Sequence, residues 1–360
     1  MTRLKQRIVQ LIEAEGPIGV DRYMAICLFD SQDGYYTTRE PFGRSGDFVT
    51  APEISQMFGE IVAVWLAEAW QAIGQPRPVT LAEIGPGRGT LAADITRTLA
   101  KVAPDFLNAA HLTLIEASPR LRTIQQERLA HIDRIAWLER VDQLAKQPLL
   151  LVGNEIFDAL PVRQFVRTPE GWRERMVDVA EGELRFVAGS QTIPDRFMPA
   201  HARSAAKGSV WESAPAREAL MAEIASHISL HGGAGLFFDY GHIEPGFGDT
   251  LQAVRRHAHD AVFAHPGEAD LTSHVDFASL AAAARAGGLT AQMMTQGHFL
   301  LGMGLLERAG SLGARADETI REDIRGAVER LAGPDQMGTL FKAMAVLPSG
   351  RELAPFAPSD

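Results

Sequence analysis

A glycine-rich turn between an apolar strand and an amphipathic helix is the strongest constraint that this sequence places on its fold. Residues 79–84 have the apolar spacing of a buried strand, and apolar residues recur at helical spacing over 91–102. The turn between them contains Gly85, Gly87 and Gly89. Backbone N–H groups point outward at such a helix start, and glycine lets a ligand approach the chain. The sequence therefore predicts a cofactor site at the carboxyl end of a strand in an α/β sheet.

The spacing of these glycines separates two classes of cofactor. A dinucleotide site needs G-x-G-x-x-G, which would require glycine where the chain has Thr90. Together with Glu83 the chain instead has E-x-G-x-G-x-G, the first motif of S-adenosylmethionine (SAM) methyltransferases. A glycine-rich turn without a ligand is the alternative interpretation. The candidate cofactor-binding residues of this segment are Glu83, Gly85, Pro86, Gly87, Gly89 and Thr90.

The alternation of strand-like and helix-like segments predicts a Rossmann-like, doubly wound parallel sheet. Further apolar strands follow at 112–115, 135–138, 149–152 and 235–239. Residues 163–188 interrupt this alternation of strands and helices with three strand-like segments separated by short turns. This pattern predicts an inserted antiparallel β region. Segments 289–294 and 340–347 predict a closing antiparallel pair.

Composition limits the partners and the compartment that we expect. The chain has 360 residues, 46% of them hydrophobic, which is enough for a large core, and its net charge of −10 argues against nucleic acid or an anionic membrane as partner. The single cysteine, Cys27, excludes a disulfide framework, and no His or Cys motif indicates a metal site. We see no signal peptide and no apolar run of about 18 residues. We therefore expect a bacterial cytoplasmic protein with no membrane insertion.

Two acids are candidates for contacts to an adenosine cofactor. Glu116 ends the second strand, which neighbours the glycine turn in a doubly wound sheet, and a carboxylate there can accept hydrogen bonds from both ribose hydroxyls. An ordinary strand-end acid is the alternative interpretation of Glu116. Asp142 follows the third strand and is a candidate partner of the adenine amino group, with the orientation of its side chain left open.

An acidic cluster after the fourth strand is the candidate catalytic group. It consists of Asn154, Glu155 and Asp158. Because ligands bind at the carboxyl ends of parallel strands, we expect this cluster beside the reacting methyl group. Two carboxylates favour a cationic partner, and the planar fork of a guanidinium pairs best with them. Acid–base cleavage of a sugar and capping of the next helix are the alternatives.

The fifth strand and a later apolar run complete the candidate surfaces. Asp239 and Tyr240 end the fifth strand on the same rim and are candidate substrate-binding residues. A buried tyrosine that only bonds a backbone carbonyl is an equally good interpretation of Tyr240. The apolar run at 299–306 is either core or the face of a homodimer.

Several motifs in order make this sequence resemble one family, the MidA family. Its mitochondrial members are arginine methyltransferases that assist assembly of respiratory complex I. The resemblance extends over nearly the whole chain and is far more specific than a glycine turn alone. It is carried by the blocks at 34–36, 42–56, 83–91, 154–162, 239–241, 266–272, 274–277 and 337–342.

The resemblance implies a class I SAM-dependent methyltransferase fold and a protein substrate. It divides the chain into a helical N-terminal extension with an active-site loop at 1–76 and a methyltransferase domain at 77–360, with an insertion around 163–212. It implies symmetric dimethylation of an arginine on the complex I 49 kDa-type subunit. It also implies that Gly46, Asp47 and Glu53 line the site.

Three other functions remain open at this point. One is a SAM-binding assembly chaperone without transfer activity. Another is a methyltransferase that acts on a different protein or on a small-molecule acceptor. The third is a nucleotide-dependent oxidoreductase, against which Thr90 argues because it occupies the position of the third dinucleotide glycine.

Overall fold

The computed structural model describes residues 2–38 and 49–356, and the chain divides into two compact units. The first unit comprises Met1–Phe48, Phe157–Glu218 and Glu244–His274. The second comprises Val49–Ile156, Ala219–Ile243 and Val275–Asp360. The expected boundary after residue 76 coincides with neither unit, because the helical segment from residue 49 onward belongs with the central sheet.

Helices make up much of both units. They are α1 (Arg3–Glu15), α2 (Val20–Phe29), α3 (Tyr35–Thr38), α4 (Ala51–Ile54), α5 (Gln56–Ala72), α6 (Thr90–Val102), α7 (Pro104–Ala109), α8 (Pro119–Arg128), α9 (Pro215–His231), α10 (Phe277–Ala286), α11 (Gln296–Gly302), α12 (Leu305–Gly313), α13 (Glu318–Ala332) and α14 (Met337–Leu340). Two of these helices begin directly after a serine, the residue type preferred as an N-cap. The hydroxyls of Ser55 and Ser118 cap α5 and α8.

The strands of the described residues form three sheets. They are β1 (Ile18–Gly19), β2 (Val79–Ile84), β3 (Ala110–Ile115), β4 (Ile135–Leu138), β5 (Leu149–Asn154), β6 (Arg163–Thr168), β7 (Gly171–Ala180), β8 (Glu183–Ile193), β9 (Val210–Ser213), β10 (Gly233–His242), β11 (Gln252–Arg255), β12 (Ala258–Asp260), β13 (Asp270–Thr272), β14 (Val275–Asp276), β15 (Leu289–Thr295) and β16 (Phe341–Pro348).

The second unit is built on a mixed sheet in the order β15-β16-β10-β5-β2-β3-β4, with β14 paired to the end of β10. The strands from β10 to β4 are parallel to their neighbours, whereas β16 runs antiparallel to both β10 and β15. The predicted doubly wound sheet and its closing antiparallel pair are therefore confirmed. This order brings the carboxyl ends of β2, β3, β5 and β10 to one edge of the sheet, where ligands of such folds bind.

Close packing of α5 against α6 fixes the position of α6 and of the glycine turn that precedes it. A wide apolar face of α5 is buried, as is the apolar side of α6. Gly59 lies where the two helices approach, since a Cβ atom at this position would come within 2.5 Å of the Asp94 Cβ. Any larger residue at 59 would push α6, and with it the turn that precedes α6.

The first unit contains the inserted antiparallel region. Its five-stranded sheet has the order β1-β7-β6-β9, with β8 paired to β7, and a second sheet has the order β12-β11-β13. The predicted meander is confirmed by the antiparallel pairs β6–β7 and β7–β8. The two-residue strand β1 pairs with β7, which the sequence did not predict. Side chains of α1 and α2 pack with this sheet in one apolar cluster.

The apolar run at 299–306 is shared between core and surface. Phe299, Leu300 and Leu305 are fully buried, whereas Leu301 and Leu306 are exposed. Half of the six apolar side chains of the run are therefore core of the second unit. Within residues 2–38 and 49–356, no helix is both long and apolar enough to cross a bilayer.

Candidate functional site

The glycine turn has the geometry that only glycine tolerates without strain. Gly85, Gly87 and Gly89 have φ values of 65°, 52° and 75°, in the left-handed region. A Cβ atom on Gly85 would also lie 2.8 Å from the Cγ2 atom of Ile156, which follows β5. The turn is thus a narrow backbone cradle at the start of α6, where outward N–H groups and the helix dipole favour a polar ligand.

Glu83, the last residue but one of β2, is buried in a way that favours its neutral form. Its side chain is 3% exposed, and its Oε2 atom has no hydrogen-bond partner among the described residues. Burial raises the pKa of the Glu83 carboxyl to about 8, and repulsion by Glu116 and Asp94 acts in the same direction. A hydrogen bond from the Ala92 N–H opposes the rise. A protonated Glu83 can donate one hydrogen bond at neutral pH.

Glu116 follows β3 and has a carboxylate held from two sides. Its Oε1 accepts from the Ser118 N–H at 2.8 Å, and its Oε2 accepts from Nε2 of Gln125 at 3.2 Å. Arg122 donates from Nε to the Glu116 carbonyl at 2.7 Å. Burial raises the pKa of Glu116, while these hydrogen bonds and the charge of Arg122 lower it. The carboxylate is thus oriented before any ligand arrives.

Thr90 connects the glycine turn to the segment before α5. Its hydroxyl donates to Oε1 of Glu53 and accepts from Nη1 of Arg128. Two residues far apart in sequence, both candidates for the site, are thereby in direct contact. Because its hydroxyl is engaged by two charged partners, Thr90 is fixed in orientation at the first turn of α6.

Asn154 and Glu155 form a polar pair at the carboxyl end of β5. Glu155 has a φ of 53°, and its N–H donates to the Phe238 carbonyl at 2.8 Å. Nδ2 of Asn154 donates to Oε1 of Glu155 at 2.9 Å. Oδ1 of Asn154 is buried and has no partner in the described part of the chain. A non-glycine residue in the left-handed region costs energy, and such strain concentrates at functional sites.

The end of β10 is fixed by a buried lysine. Asp239 is fully buried, and its Oδ1 accepts from the Tyr240 N–H at 3.0 Å. The Tyr240 ring lies against Phe341, with their centroids 5.4 Å apart. Nζ of Lys342 donates to the Gly241 carbonyl at 2.8 Å and to two further carbonyls. This rigid strand end lies beside that of β5, its parallel neighbour.

Comparisons with known proteins agree on the class of this site. A family of S-adenosyl-L-methionine-dependent methyltransferases, Methyltransf_28, matches residues 61–295. The chain belongs to this family. It is 33% identical to human protein arginine methyltransferase NDUFAF7, over 98% of this chain and 85% of the human protein. It is 34% identical to the Drosophila melanogaster homologue, over 96% and 85% of the two chains.

Solved structures support the same assignment for this methyltransferase. A Burkholderia thailandensis protein crystallised with S-adenosyl-homocysteine has a TM-score of 0.86 and 28% identity, covering 99% of this chain and 95% of its own. A second structure from that organism has a TM-score of 0.81 and 29% identity, over the same shares of the two chains. The predicted class I fold and the SAM cofactor are confirmed. The predicted resemblance to MidA proteins is also confirmed.

One expectation is overturned by these relatives. The low cysteine content and the lack of a recognisable signal peptide predict a cytoplasmic, bacterial location. The human and Drosophila relatives are both named as mitochondrial proteins. The expected location is therefore wrong, because neither observation distinguishes the cytoplasm from another reducing compartment.

The residues around the glycine turn fit the SAM cofactor of this methyltransferase. The cradle is one that a Cβ atom on Gly85 would fill, and a buried oxygen of Glu83 has no hydrogen-bond partner among residues 2–38 and 49–356. Glu116 has a pre-oriented carboxylate at the adjacent strand end, suited to a ribose diol. Among the described residues, no group of three His, Cys, Asp or Glu side chains is placed to hold a metal ion.

One predicted contact, that of Asp142, has a less direct relation to this cradle. Asp142 lies in a 3₁₀ turn after β4, is exposed, and pairs with Arg140, which lowers the pKa of the Asp142 carboxyl. Its contact with adenine stays a prediction. Gly46 and Asp47 lie outside the described residues.

Asp158, the third member of the acidic cluster, belongs to the first unit and is fixed there by a buried arginine. Arg217 is 2% exposed. It donates to the carbonyls of Asp158, Leu160 and His274, and to Oγ of Ser273, at distances from 2.6 to 3.3 Å. Sequence reasoning missed Arg217, because its partners are distant in the chain and carry no motif.

Proposed function

We propose that this methyltransferase transfers methyl groups to an arginine of a protein substrate, and that the substrate is the complex I 49 kDa-type subunit. The observation that carries the first part is the Asn154–Glu155 pair at the end of β5. The names of the relatives, protein arginine methyltransferases, support the same acceptor chemistry. The family resemblance supports the particular subunit and symmetric dimethylation of its arginine.

The Asn154–Glu155 pair suits a guanidinium better than a neutral acceptor. Glu155 offers a carboxylate, and Asn154 offers a buried carbonyl oxygen without a partner among the described residues. Both are acceptors, and a guanidinium has five N–H donors in a fixed fork. A neutral hydroxyl has a single O–H donor, so it could not bond Glu155 and the buried Asn154 oxygen at the same time, and a buried acceptor left without a donor costs free energy.

The chemistry follows from where Glu155 places the positive charge. SAM supplies a methyl group that is bonded to a positively charged sulfonium sulfur. After transfer of the methyl group, the rest of the molecule leaves as a neutral thioether. A guanidinium is a poor nucleophile, but hydrogen bonds from two of its N–H groups to Glu155 concentrate positive charge on that side. Electron density then remains on the far nitrogen, which forms the new N–C bond as the C–S bond breaks. The attacking nitrogen loses one N–H proton to solvent water, so the methylated guanidinium keeps a single positive charge.

Substitution of Glu155 by Gln tests this assignment. The amide keeps the size of the side chain but cannot localise charge, so methyl transfer should fall by about 100-fold or more. SAM affinity, measured by calorimetry, should stay within about threefold, since Glu155 is assigned to the acceptor. The acceptors are the isolated 49 kDa-type subunit and its versions with single Arg→Lys changes, with radiolabelled SAM. The exposed Glu127→Gln is the matched control and should transfer normally.

The outcomes separate this function from its alternatives. Full transfer by the Glu155→Gln protein would remove the catalytic role of Glu155. Wild-type protein that binds SAM but labels no complex I subunit would favour an assembly chaperone instead. Label that survives every Arg→Lys change would point to a different acceptor residue. Asp158→Asn, assayed in parallel, tests the separate prediction that Asp158 also serves transfer.

A further inference from the structure

Gln125 on α8 is a fully buried amide that contacts both parts of the candidate donor site. Its Nε2 donates to the Gly87 carbonyl at 2.8 Å and to Oε2 of Glu116 at 3.2 Å. Its Oε1 accepts from Nε1 of Trp137, on β4, at 3.0 Å. One side chain thus links the glycine turn, the end of β3 and the strand next to it.

The chemistry of its three partners allows only one orientation of this amide. An indole N–H can only donate, so it must face the amide oxygen. A backbone carbonyl and a carboxylate can only accept, so they must face the amide nitrogen. Trp137 therefore determines which end of Gln125 points toward Gly87 and Glu116.

We propose that Gln125 is a positioning residue for the donor site, oriented by Trp137, which fixes the Gly87 carbonyl and the Glu116 carboxylate in one relative geometry. Its role is to present the carboxylate to a ribose diol at the same time as the turn receives the rest of the cofactor. The proposal rests on Glu116 being the ribose acceptor. It assigns to Gln125 no contact with the cofactor itself.

The hydrogen bond from Gln125 also affects the charge of Glu116. A diol donates two O–H groups, which suits an ionised carboxylate better than a protonated one. Burial favours the protonated form of Glu116, and the hydrogen bonds from Gln125 and the Ser118 N–H favour the ionised form. Among the described residues, the charge of Arg122 favours the ionised form of this carboxyl, and repulsion couples the carboxyl to Glu83. Removal of the Gln125 amide should therefore shift ligand binding toward higher pH.

The test compares two ligands that differ by one ribose hydroxyl. The probes are S-adenosylhomocysteine and its 2′-deoxy analogue, with dissociation constants measured by calorimetry. In the wild type, loss of the hydroxyl should weaken binding by about tenfold or more, as expected for a hydrogen bond to a charged group. In Gln125→Met, S-adenosylhomocysteine should bind about tenfold more weakly, and the ratio between the two ligands should fall below about threefold.

Three further variants make the test specific. Gln126→Met changes an exposed neighbour on the same helix and should bind like the wild type. Gln125→Glu keeps the shape but places a second carboxylate against Glu116, so its binding should be the weakest and should improve as pH falls. Trp137→Phe keeps an aromatic ring but removes the donor that orients the amide. Trp137→Phe should weaken binding of S-adenosylhomocysteine and lower the ratio between the two ligands, each by less than Gln125→Met does.

The results that would overturn the proposal are distinct. If Gln125→Met weakens both ligands by the same factor, Gln125 only supports the fold. If the wild type does not discriminate between the two ligands, Glu116 is not the ribose acceptor and the proposal fails with it. If circular dichroism shows that Gln125→Met does not fold, the test uses Trp137→Phe instead. An unchanged ratio of the two dissociation constants in Trp137→Phe would then overturn the proposal. None of these readouts needs a protein acceptor, so they are independent of the proposed arginine substrate.

Discussion

Replacement of Glu83 by Gln should stabilise the ligand-free protein, and the gain should grow with pH. Burial raises the pKa of this carboxyl from 4.5 to about 8 in the folded protein. Between these two values the unfolded chain has lost the proton while the folded protein retains it. The folded state therefore binds more protons, and stability must fall as pH rises through this window. Gln resembles the neutral acid and does not titrate, so it removes this loss.

The size of the effect follows from the pKa difference. Each pH unit inside the window contributes about 1.4 kcal/mol to the free energy of unfolding. Between about pH 5 and about pH 7.5, the stability advantage of Glu83→Gln over the wild type should increase by about 3 kcal/mol. The increase stops above the folded-state pKa, where the folded and the unfolded protein have both lost the proton. The stability advantage itself vanishes below about pH 4, where both states retain the proton.

Urea unfolding followed by circular dichroism measures this difference directly. Wild type, Glu83→Gln and the exposed control Glu127→Gln are unfolded without SAM at several pH values, and free energies come from linear extrapolation. A plot of the free energy of unfolding against pH should run parallel for the control and for the wild type. If the Glu83→Gln curve is parallel as well, the carboxyl is already ionised in the folded protein, and its neutral role beneath the glycine turn is wrong.

Two other substitutions test the backbone cradle and the buried arginine. Gly85→Ala combines a left-handed φ with a Cβ atom 2.8 Å from Ile156, so SAM should bind about tenfold more weakly or worse in calorimetry. Gly182→Ala has a left-handed φ but open space, and unchanged SAM affinity there is the matched control. Arg217→Met should lower the free energy of unfolding by about 3 kcal/mol, and Arg217→Lys should recover only part of it. An unchanged urea midpoint in Arg217→Met would contradict the structural role of this guanidinium.

The sheet and the position of the donor site were predictable because both depend on local patterns. Apolar strands of the right length precede Gly85, Glu116 and Asn154, and parallel strands place their carboxyl ends at one edge. The contact between Thr90 and Glu53 was not predictable from spacing. It depends on how α4 meets the start of α6, and sequence separation carries no information about such packing.

The supporting polar groups were unpredictable for a different reason. Gln125 appears in the sequence as one of two adjacent glutamines on a helix with a weak apolar face. Only the structure distinguishes it from Gln126, since one is fully buried and the other exposed. The raised pKa of Glu83 likewise depends on burial by α6 and on the approach of Glu116. Such effects arise from tertiary contacts and leave no motif.

The neutral Glu83 and the oriented Glu116 are two parts of one electrostatic arrangement. Two ionised carboxylates on adjacent strand ends would repel each other, and repulsion by Glu116 already contributes to the raised pKa of Glu83. Hydrogen bonds from Gln125 and Ser118 stabilise the charge on Glu116. In the described part of the chain, one oxygen of Glu83 has no hydrogen-bond partner, and a backbone N–H bonds its carboxyl. Burial favours the neutral form of both acids, and more hydrogen bonds oppose this effect at Glu116 than at Glu83. It follows that loss of the Gln125 amide should make Glu83 easier to ionise, because a partly protonated Glu116 repels it less.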